Sequence, residues 1–149
     1  MTNLLFLRVF ALLFVLGTAV PALAQCRLEI RISGFRKRTG QVYLGLYRQQ
    51  EGFPGTVSRA FLHEQMAVPD SGDAVFRLSE VPAGTYAVSV FDDEDGNGKM
   101  KTNWLGIPLE GVGVSNNVRS HFGPPHFRDA AVQLSRDTTL LIKLWFWGS

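Results

Sequence analysis

The chain has 149 residues, of which 46% are hydrophobic and 19% are charged. This composition excludes a disordered chain, which is poor in apolar residues, and a collagen-like chain, which needs glycine at every third position. The 15 basic and 13 acidic residues give a net charge of +2, which is too small to indicate a nucleic-acid partner.

The N-terminal segment has the features of a secretory signal peptide. Arg8 precedes an apolar run that ends at Pro21, and an Ala-Leu-Ala sequence ending at Ala24 supplies the small residues that a signal peptidase needs. We predict that residues 1–24 are removed and that residues 25–149 form one exported domain, periplasmic or secreted. No later stretch reaches the roughly 18 to 20 apolar residues of a membrane-spanning helix, so the mature chain is predicted to have no transmembrane segment.

Cys26 is the only cysteine, so no disulfide can form within the chain. Lipid modification of this cysteine would require a small residue before it, but Gln25 occupies that position. Cys26 has the parity of the apolar residues Leu28 and Ile30 in the first predicted strand. We therefore expect a buried, inert thiol, with an intermolecular disulfide as the alternative.

Alternation of apolar and polar residues is the strongest structural pattern in the chain, and it is typical of β-strands. A weak strand is predicted over residues 61–68, and Pro82-Ala83-Gly84 predicts a tight link between two stronger ones. Short strands separated by turn residues indicate an all-β, antiparallel β-sandwich of about seven strands with almost no helix. The six stronger strands lie over residues 26–32, 42–46, 74–78, 86–90, 130–134 and 140–146.

Residues 92–128 show no sustained alternation and are rich in Gly, Pro, Asn and charged residues. So long an irregular stretch in a compact domain is either functional or disordered. Its apolar residues favour one long ordered loop that packs on the sandwich, and they predict that Trp104→Ala costs on the order of 3 to 5 kcal/mol. These residues are Trp104, Leu105, Ile107, Leu109, Val112, Val114 and Phe122.

A series of short motifs covers nearly the whole predicted mature chain. In order they are Val81-Pro82-Ala83-Gly84-Thr85-Tyr86-Ala87-Val88, Asp93, Asn97-Gly98-Lys99, Asn103, Gly106-Ile107-Pro108, Glu110-Gly111, Ser115-Asn116-Asn117, Gly123-Pro124-Pro125, Phe127 and Asp129-Ala130. The series resembles a bacterial exported family, the domain of unknown function 2141. The resemblance implies kinship with prealbumin-like and collagen-adhesin B-type sandwiches, most of which are binding or spacer modules. The chain departs from the family pattern at Asp92, where His is common, and at Lys101, where an acidic residue is common.

Four acidic residues in succession, Asp92–Asp95, begin the long loop. Counted from Asp93, oxygen-bearing side chains fall at positions 1, 3 and 5 as Asp93, Asp95 and Asn97, and Gly98 follows where an EF-hand-type loop turns sharply. Calcium prefers oxygen ligands of this kind. The spacing therefore predicts a Ca²⁺ site.

Two further ligands complete the predicted Ca²⁺ site. Lys99 would add its backbone carbonyl, and Glu110 would supply the distal carboxylate that the spacing otherwise lacks. Affinity is expected to be weak because Lys101 and Trp104 stand where an EF-hand loop has its last two ligands. The alternative is a turn without metal, since Asp-Gly and Asn-Gly are favoured turn dipeptides.

Two classes of function fit these patterns. The first is a non-catalytic module that binds a partner protein, a glycan or an envelope component through residues 92–128. The second is a hydrolase in which Asp93, Ser115 and His121 form a triad. The sequence around Ser115 lacks the second glycine of a nucleophile elbow, which favours the first class.

Two sets of side chains are candidates for binding outside the long loop. Tyr43, Tyr47, Trp145 and Trp147 have the parity opposite to the core face, so exposed rings could stack on sugars or anchor a partner unless another segment covers them. Arg36-Lys37-Arg38 predicts a solvated basic hairpin tip, with weak, salt-dependent binding of an anionic envelope component as the alternative.

Overall fold

Strands dominate the computed structural model, which describes residues 24–120 and 122–147. Within these residues the helices are short: α1 (Phe127–Ala130) and two single turns of 3₁₀ helix, and none of them is long and apolar enough to cross a membrane. The predicted leader lies outside the described residues, apart from Ala24. The strands are β1 (Gln25–Ser33), β2 (Gln41–Tyr47), β3 (Leu62–Ala67), β4 (Ala74–Pro82), β5 (Gly84–Asp93), β6 (Gly111–Val114), β7 (Val132–Leu134) and β8 (Thr138–Lys143).

The strands form two sheets. The first has the order β4-β1-β8, with β1 antiparallel to β4 and parallel to β8. The second has the order β3-β2-β5-β6, and β7 pairs with the first residues of β5; all its pairs are antiparallel. The predicted all-β sandwich is confirmed. The strand count is eight, and one pair among the described strands is parallel.

The predicted tight link at Pro82-Ala83-Gly84 is present, but it does not form a hairpin. β4 ends at Pro82 in the first sheet, and β5 begins at Gly84 in the second. The link therefore carries the chain from one layer of the sandwich to the other.

The main core lies between the two sheets and consists of the alternating apolar residues. Leu28, Ile30 and Ile32 of β1 are buried against residues of the opposite sheet such as Leu44. Cys26 is 3% exposed, so the prediction of a buried thiol is confirmed. Removal of these apolar side chains from water is the main contribution to the stability of the fold.

A second, smaller core covers the outer face of the second sheet. The ring of Tyr47 packs edge-on against Phe53 at 5.4 Å, and Phe53 packs in the same way against Phe127 at 6.0 Å. Gly45 leaves room for the Tyr47 ring, which would lie 2.7 Å from a Cβ atom at that position. Tyr47 lies on the outer face, as its parity predicts, and the segment after β2 and α1 cover its ring, so it is not available for stacking.

Strand β6 is absent from the sequence prediction because its pattern is interrupted by glycine. A Cβ at Gly111 would lie 2.8 Å from the ring of Phe146, and one at Gly113 would lie 2.7 Å from Ile142. These glycines let β6 approach the end of the other sheet. They also interrupt the alternation of apolar and polar residues from which a strand is predicted. The predicted strand at residues 130–134 is shorter in the structure, since Ala130 belongs to α1.

Candidate functional site

The acidic segment forms a tight turn directly after β5. Asp93 accepts hydrogen bonds from the backbone N–H groups of Asn97 (3.2 Å) and Gly98 (2.7 Å), one on each carboxylate oxygen. Asp95 also accepts a bond from the Asn97 N–H at 3.2 Å. Gly96 and Gly98 have φ values of 70° and 72°, a backbone conformation that side chains disfavour. The glycines and the Asp93 carboxylate together determine the path of the turn.

Glu110 connects this turn to the segment that follows it. Its two carboxylate oxygens accept hydrogen bonds from the N–H groups of Glu94 at 3.0 Å and Lys101 at 2.8 Å. The side chain is buried. Glu110 therefore holds both ends of the segment against the end of β5.

The structure brings together three of the five predicted cation ligands. Carboxylate oxygens of Asp93, Asp95 and Glu110 lie within 4.8 Å of one another. Asn97 belongs to the same turn, but its side-chain oxygen accepts a hydrogen bond from the Lys99 N–H at 2.7 Å. This bond uses one of the two lone pairs of the Asn97 oxygen, and the side chains whose oxygens converge are the three carboxylates.

Asp92 lies beside this group but points to the other face of β5, because successive strand residues alternate. The side chain is fully buried, and neither oxygen has a hydrogen-bond partner among the described residues. Burial raises the pKa of the Asp92 carboxyl to about 7, with smaller contributions in the same direction from the negative charges of Glu94, Glu110 and Asp93. Asp92 shares the parity of the buried strand residues before it, so its burial, unlike its lack of a partner, follows from the alternation of β5.

The basic tip is exposed, as predicted, but it connects the two sheets instead of closing a hairpin, and each of its side chains also contacts another part of the domain. Lys37 pairs with Glu94 at 2.7 Å, and this hydrogen bond raises the pKa of Lys37. Arg38 donates to the carbonyl of Gly72 at 2.6 Å, and the Arg36 guanidinium lies 3.9 Å from the ring centre of Phe146. These contacts fix the loop after β1 beside the acidic turn.

Residues 101–109 form a narrow hairpin that extends beyond the last paired residues of β5 and β6. The N–H of Leu109 donates to the carbonyl of Lys101 at 2.8 Å, and the N–H of Asn103 donates to the carbonyl of Ile107 at 2.9 Å. The Asn103 side-chain oxygen accepts the N–H groups of Leu105 (2.9 Å) and Ile107 (3.0 Å). This hairpin, called the 101–109 hairpin below, is thus organised by hydrogen bonds around Asn103.

The tip of the 101–109 hairpin exposes its apolar side chains. Trp104 is 89% exposed and Leu105 is 61% exposed. Phe122, farther along the long loop, is 96% exposed, whereas Val114 is buried in the second core. The prediction that Trp104 packs on the sandwich is therefore wrong. The long loop is ordered by polar side chains at this end and by apolar packing from Val114 onwards, where Val118 and Phe127 contact the second core.

Asp93 and Ser115, two of the three residues of the hydrolase alternative, are not brought together. Ser115 is fully buried, donates to the carbonyl of Ala130 and accepts the Val88 N–H at 2.9 Å. Val88 and Asp93 are separated by about 16 Å along β5, at about 3.3 Å per residue. His121 lies outside the described residues. Ser115 thus connects α1 to β5, and its hydroxyl is engaged on both sides.

The two asparagines that follow Ser115 also have structural contacts. Asn116 donates to the carbonyls of Asp129 and Ala131, both at 3.1 Å. Asn117 accepts the Lys143 N–H at 2.7 Å and donates to the Leu141 carbonyl at 2.9 Å, which caps the outer edge of β8. These motif residues hold the end of the long loop to both sheets.

The remaining outward-facing aromatic residues are half-buried. Tyr43 stacks on Phe91 with 5.6 Å between ring centres, and Trp145 contacts Trp147 at 4.5 Å. They therefore offer less free ring surface than Trp104 does.

The comparisons with known proteins agree with the resemblance seen in the sequence. A family model described as "Uncharacterized protein conserved in bacteria (DUF2141)" matches residues 30–141, so the chain belongs to this family. No curated protein and no solved structure matched the chain.

Proposed function

We propose that this member of the uncharacterised bacterial family is an exported, non-catalytic binding module that engages a partner protein, a glycan or another envelope component through residues 92–128. The observation that carries the proposal is the exposure of Trp104 and Leu105 at the tip of a hydrogen-bonded hairpin. Tryptophan is enriched among the residues that contribute most to binding at interfaces.

The order of the hairpin backbone supports the same proposal. Binding is weakened by the entropy lost when a loop becomes ordered, and a loop that is already ordered avoids most of that loss. Asn103 and Glu110 together accept four backbone N–H groups in and around the hairpin. The apolar tip is therefore presented on a preorganised support.

The hydrolase alternative with Asp93, Ser115 and His121 receives less support. A nucleophilic serine needs a free hydroxyl next to a base. The Ser115 hydroxyl is buried and has two backbone partners.

Export of the protein is part of the proposal and rests on the sequence of the leader. We expect the mature protein to begin at Gln25, as N-terminal sequencing of the exported product would show. The burial of Cys26 within β1 supports an unmodified thiol. An uncleaved leader, or a lipid attached to Cys26, would contradict this part of the proposal.

Photo-crosslinking in the producing cells tests the binding function. A benzophenone amino acid would replace Trp104 in one protein and, as the matched control, Leu141 in another; Leu141 is 67% exposed on β8 of the other sheet. We expect a discrete adduct from position 104 and none from position 141. No adduct to protein, glycan or lipid at either position, or the same adducts at both, would contradict the proposal.

A divalent-cation site at the base of the hairpin is a second candidate function. It is supported by the convergence of Asp93, Asp95 and Glu110, which come from two segments of the chain. Like charges at this separation repel each other, and a bound cation would remove the repulsion. We propose a weak Ca²⁺ site, with a dissociation constant on the order of 10⁻⁴ to 10⁻³ M because the ligand set of an EF hand is incomplete.

Thermal unfolding in the presence of cations tests this second function. Binding to the folded state alone would make about 10 mM Ca²⁺ stabilise the protein by about 1.5 to 2.7 kcal/mol, with a smaller effect of Mg²⁺. The Ca²⁺ response should disappear in Asp95→Ala and persist in Asp70→Asn, which changes an exposed acidic residue elsewhere. Equal responses in wild type and Asp95→Ala, or no response in wild type, would leave the acidic segment as a turn only.

The kinship with prealbumin-like and collagen-adhesin B-type sandwiches also remains a proposal. Two packed sheets and the short link at Pro82-Ala83-Gly84 support it.

A further inference from the structure

We propose that the partner of the 101–109 hairpin is the surface of an anionic phospholipid bilayer, into whose interfacial zone Trp104 and Leu105 insert. This inference rests on the proposed binding function and names the class of its partner. Three features of the hairpin favour a lipid surface.

The first feature is the composition of the exposed tip. Tryptophan concentrates at membrane–water interfaces because its ring is apolar and its indole N–H remains able to donate a hydrogen bond. Leu105 next to it adds a purely apolar side chain. Insertion would remove the surface of both side chains from water.

The second feature is that backbone N–H groups at the tip donate hydrogen bonds to acceptors within the hairpin. The N–H groups of Leu105 and Ile107 donate to the Asn103 side chain, and that of Gly106 donates to the Asn103 carbonyl at 2.9 Å. An unpaired N–H group costs free energy when it leaves water, up to several kcal/mol in the hydrocarbon core, so pairing within the protein favours entry of the tip into the interfacial zone. The hairpin pairs these groups at three successive residues.

The third feature is the distribution of charge beside the hairpin. Lys99 and Lys101 are exposed and form no ion pair among the described residues. Among the nearby acidic side chains, Glu110 is buried and accepts two backbone N–H groups, Glu94 pairs with Lys37 and Asp93 is buried, whereas Asp95 is exposed. Exposed cations next to an apolar tip suit anionic headgroups.

The same tip is less suited to binding a glycan. Sugar binding combines a flat ring with polar side chains that are free to bond the hydroxyl groups. Asn103 precedes Trp104 in the chain, and its side-chain oxygen already accepts two backbone N–H groups, so the exposed polar side chains of the hairpin left to bond a sugar are those of Lys101 and Thr102. The observations therefore favour a lipid surface.

Flotation with lipid vesicles tests the inference on the protein in its exported form. Vesicles of phosphatidylcholine with about a quarter phosphatidylglycerol should bind the protein, and vesicles of phosphatidylcholine alone should bind it more weakly. Trp104→Ala should weaken binding to the anionic vesicles about tenfold or more. Phe122→Ala is the matched control, because it removes a 96% exposed aromatic ring from the same loop outside the hairpin.

Two further measurements sharpen the test. Lipids with brominated acyl chains should quench tryptophan fluorescence in wild type and much less in Trp104→Phe, which keeps an apolar tip and leaves Trp145 and Trp147 in place. The double variant Lys99→Gln, Lys101→Gln should reduce the preference for anionic vesicles. Its remaining binding should depend less on salt.

Several outcomes would overturn the inference. These are the absence of vesicle binding by wild type, unchanged binding by Trp104→Ala, or an equal loss in Phe122→Ala. A protein adduct at position 104 in the crosslinking experiment, without vesicle binding, would refute the lipid surface and leave the proposed binding function intact. The absence of both adduct and vesicle binding would refute the two together.

Discussion

Two irregular segments of this domain carry large apolar side chains, but one segment buries them and the other exposes them to solvent. The segment after β2 places Phe53 against Tyr47 and Phe127 and buries it. The 101–109 hairpin leaves Trp104 and Leu105 in solvent. An apolar residue in a loop therefore does not by itself indicate that the loop packs on the domain.

The difference follows from what each segment has beside it. The segment after β2 lies over the outer face of the second sheet, where Tyr47 and Ala87 are available for packing. The 101–109 hairpin lies beyond the last paired residues of β5 and β6, Asp92 and Gly111. No sheet surface continues there.

Polar side chains replace apolar packing in the ordering of this second region. Between residues 94 and 107, seven backbone N–H groups donate to side-chain oxygens. Each such bond contributes about 0.5 to 1.5 kcal/mol, so several of them can fix a loop that buries little apolar surface. The acceptors are Asp93, Asp95, Asn97, Asn103 and Glu110.

The largest expected effect concerns the packed segment. Phe53→Ala should lower the free energy of unfolding by about 3 to 5 kcal/mol, because it leaves a cavity between Tyr47 and Phe127. Denaturant titration measures the loss. Phe122→Ala removes an exposed ring of the same size and should cost less than about 0.5 kcal/mol. A cost below about 1 kcal/mol for Phe53→Ala would mean that the second core contributes little to stability.

The next effect concerns Asp92, the buried carboxyl at the base of the polar region. Its pKa is raised from 3.8 to about 7, so the folded state binds an additional proton between these values and the carboxyl destabilises the fold increasingly as pH rises through that window. Asp92→Asn removes the titration and keeps the shape. Relative to wild type, the variant should gain about 2 to 3 kcal/mol between about pH 5 and pH 8.

Chemical denaturation at several pH values checks the Asp92 prediction. Asp70→Asn, an exposed acidic residue, serves as the control and should follow the wild-type profile. Parallel profiles for wild type and Asp92→Asn would show that Asp92 has an ordinary pKa in the folded protein.

The sandwich could be predicted because its strands bury one face, and burial on one face produces alternation. Strand β6 could not be predicted in this way. The close approach of Phe146 and Ile142 requires Gly111 and Gly113, and glycine has no side chain that could contribute to an alternation of apolar and polar residues. The exposure of Trp104 could not be predicted. In a strand, regular alternation shows which side chains point to the core, but an irregular loop has no such alternation.

Parts of the candidate site were accessible from the sequence and parts were not. The spacing of Asp93 and Asp95 indicates oxygens on one side of a turn, and Glu110 does reach them. Asp92 could have been found, since it shares the parity of Val90 on a buried face. The role of Asn103 depends on the hairpin's register, which the pattern of residues does not encode.

The smallest expected changes in the free energy of unfolding distinguish Asn103, which supports the hairpin, from Trp104 at its exposed tip. Asn103→Ala removes the acceptor of the Leu105 and Ile107 N–H groups and should cost about 1 to 2 kcal/mol. Trp104→Ala should change the free energy of unfolding by less than about 0.5 kcal/mol, because an 89% exposed ring has almost no packing to lose. Hydrogen exchange of the Leu105 and Ile107 amides should accelerate only in Asn103→Ala. A loss of several kcal/mol in Trp104→Ala would instead place the ring against the sandwich in solution and remove the basis for its role in binding.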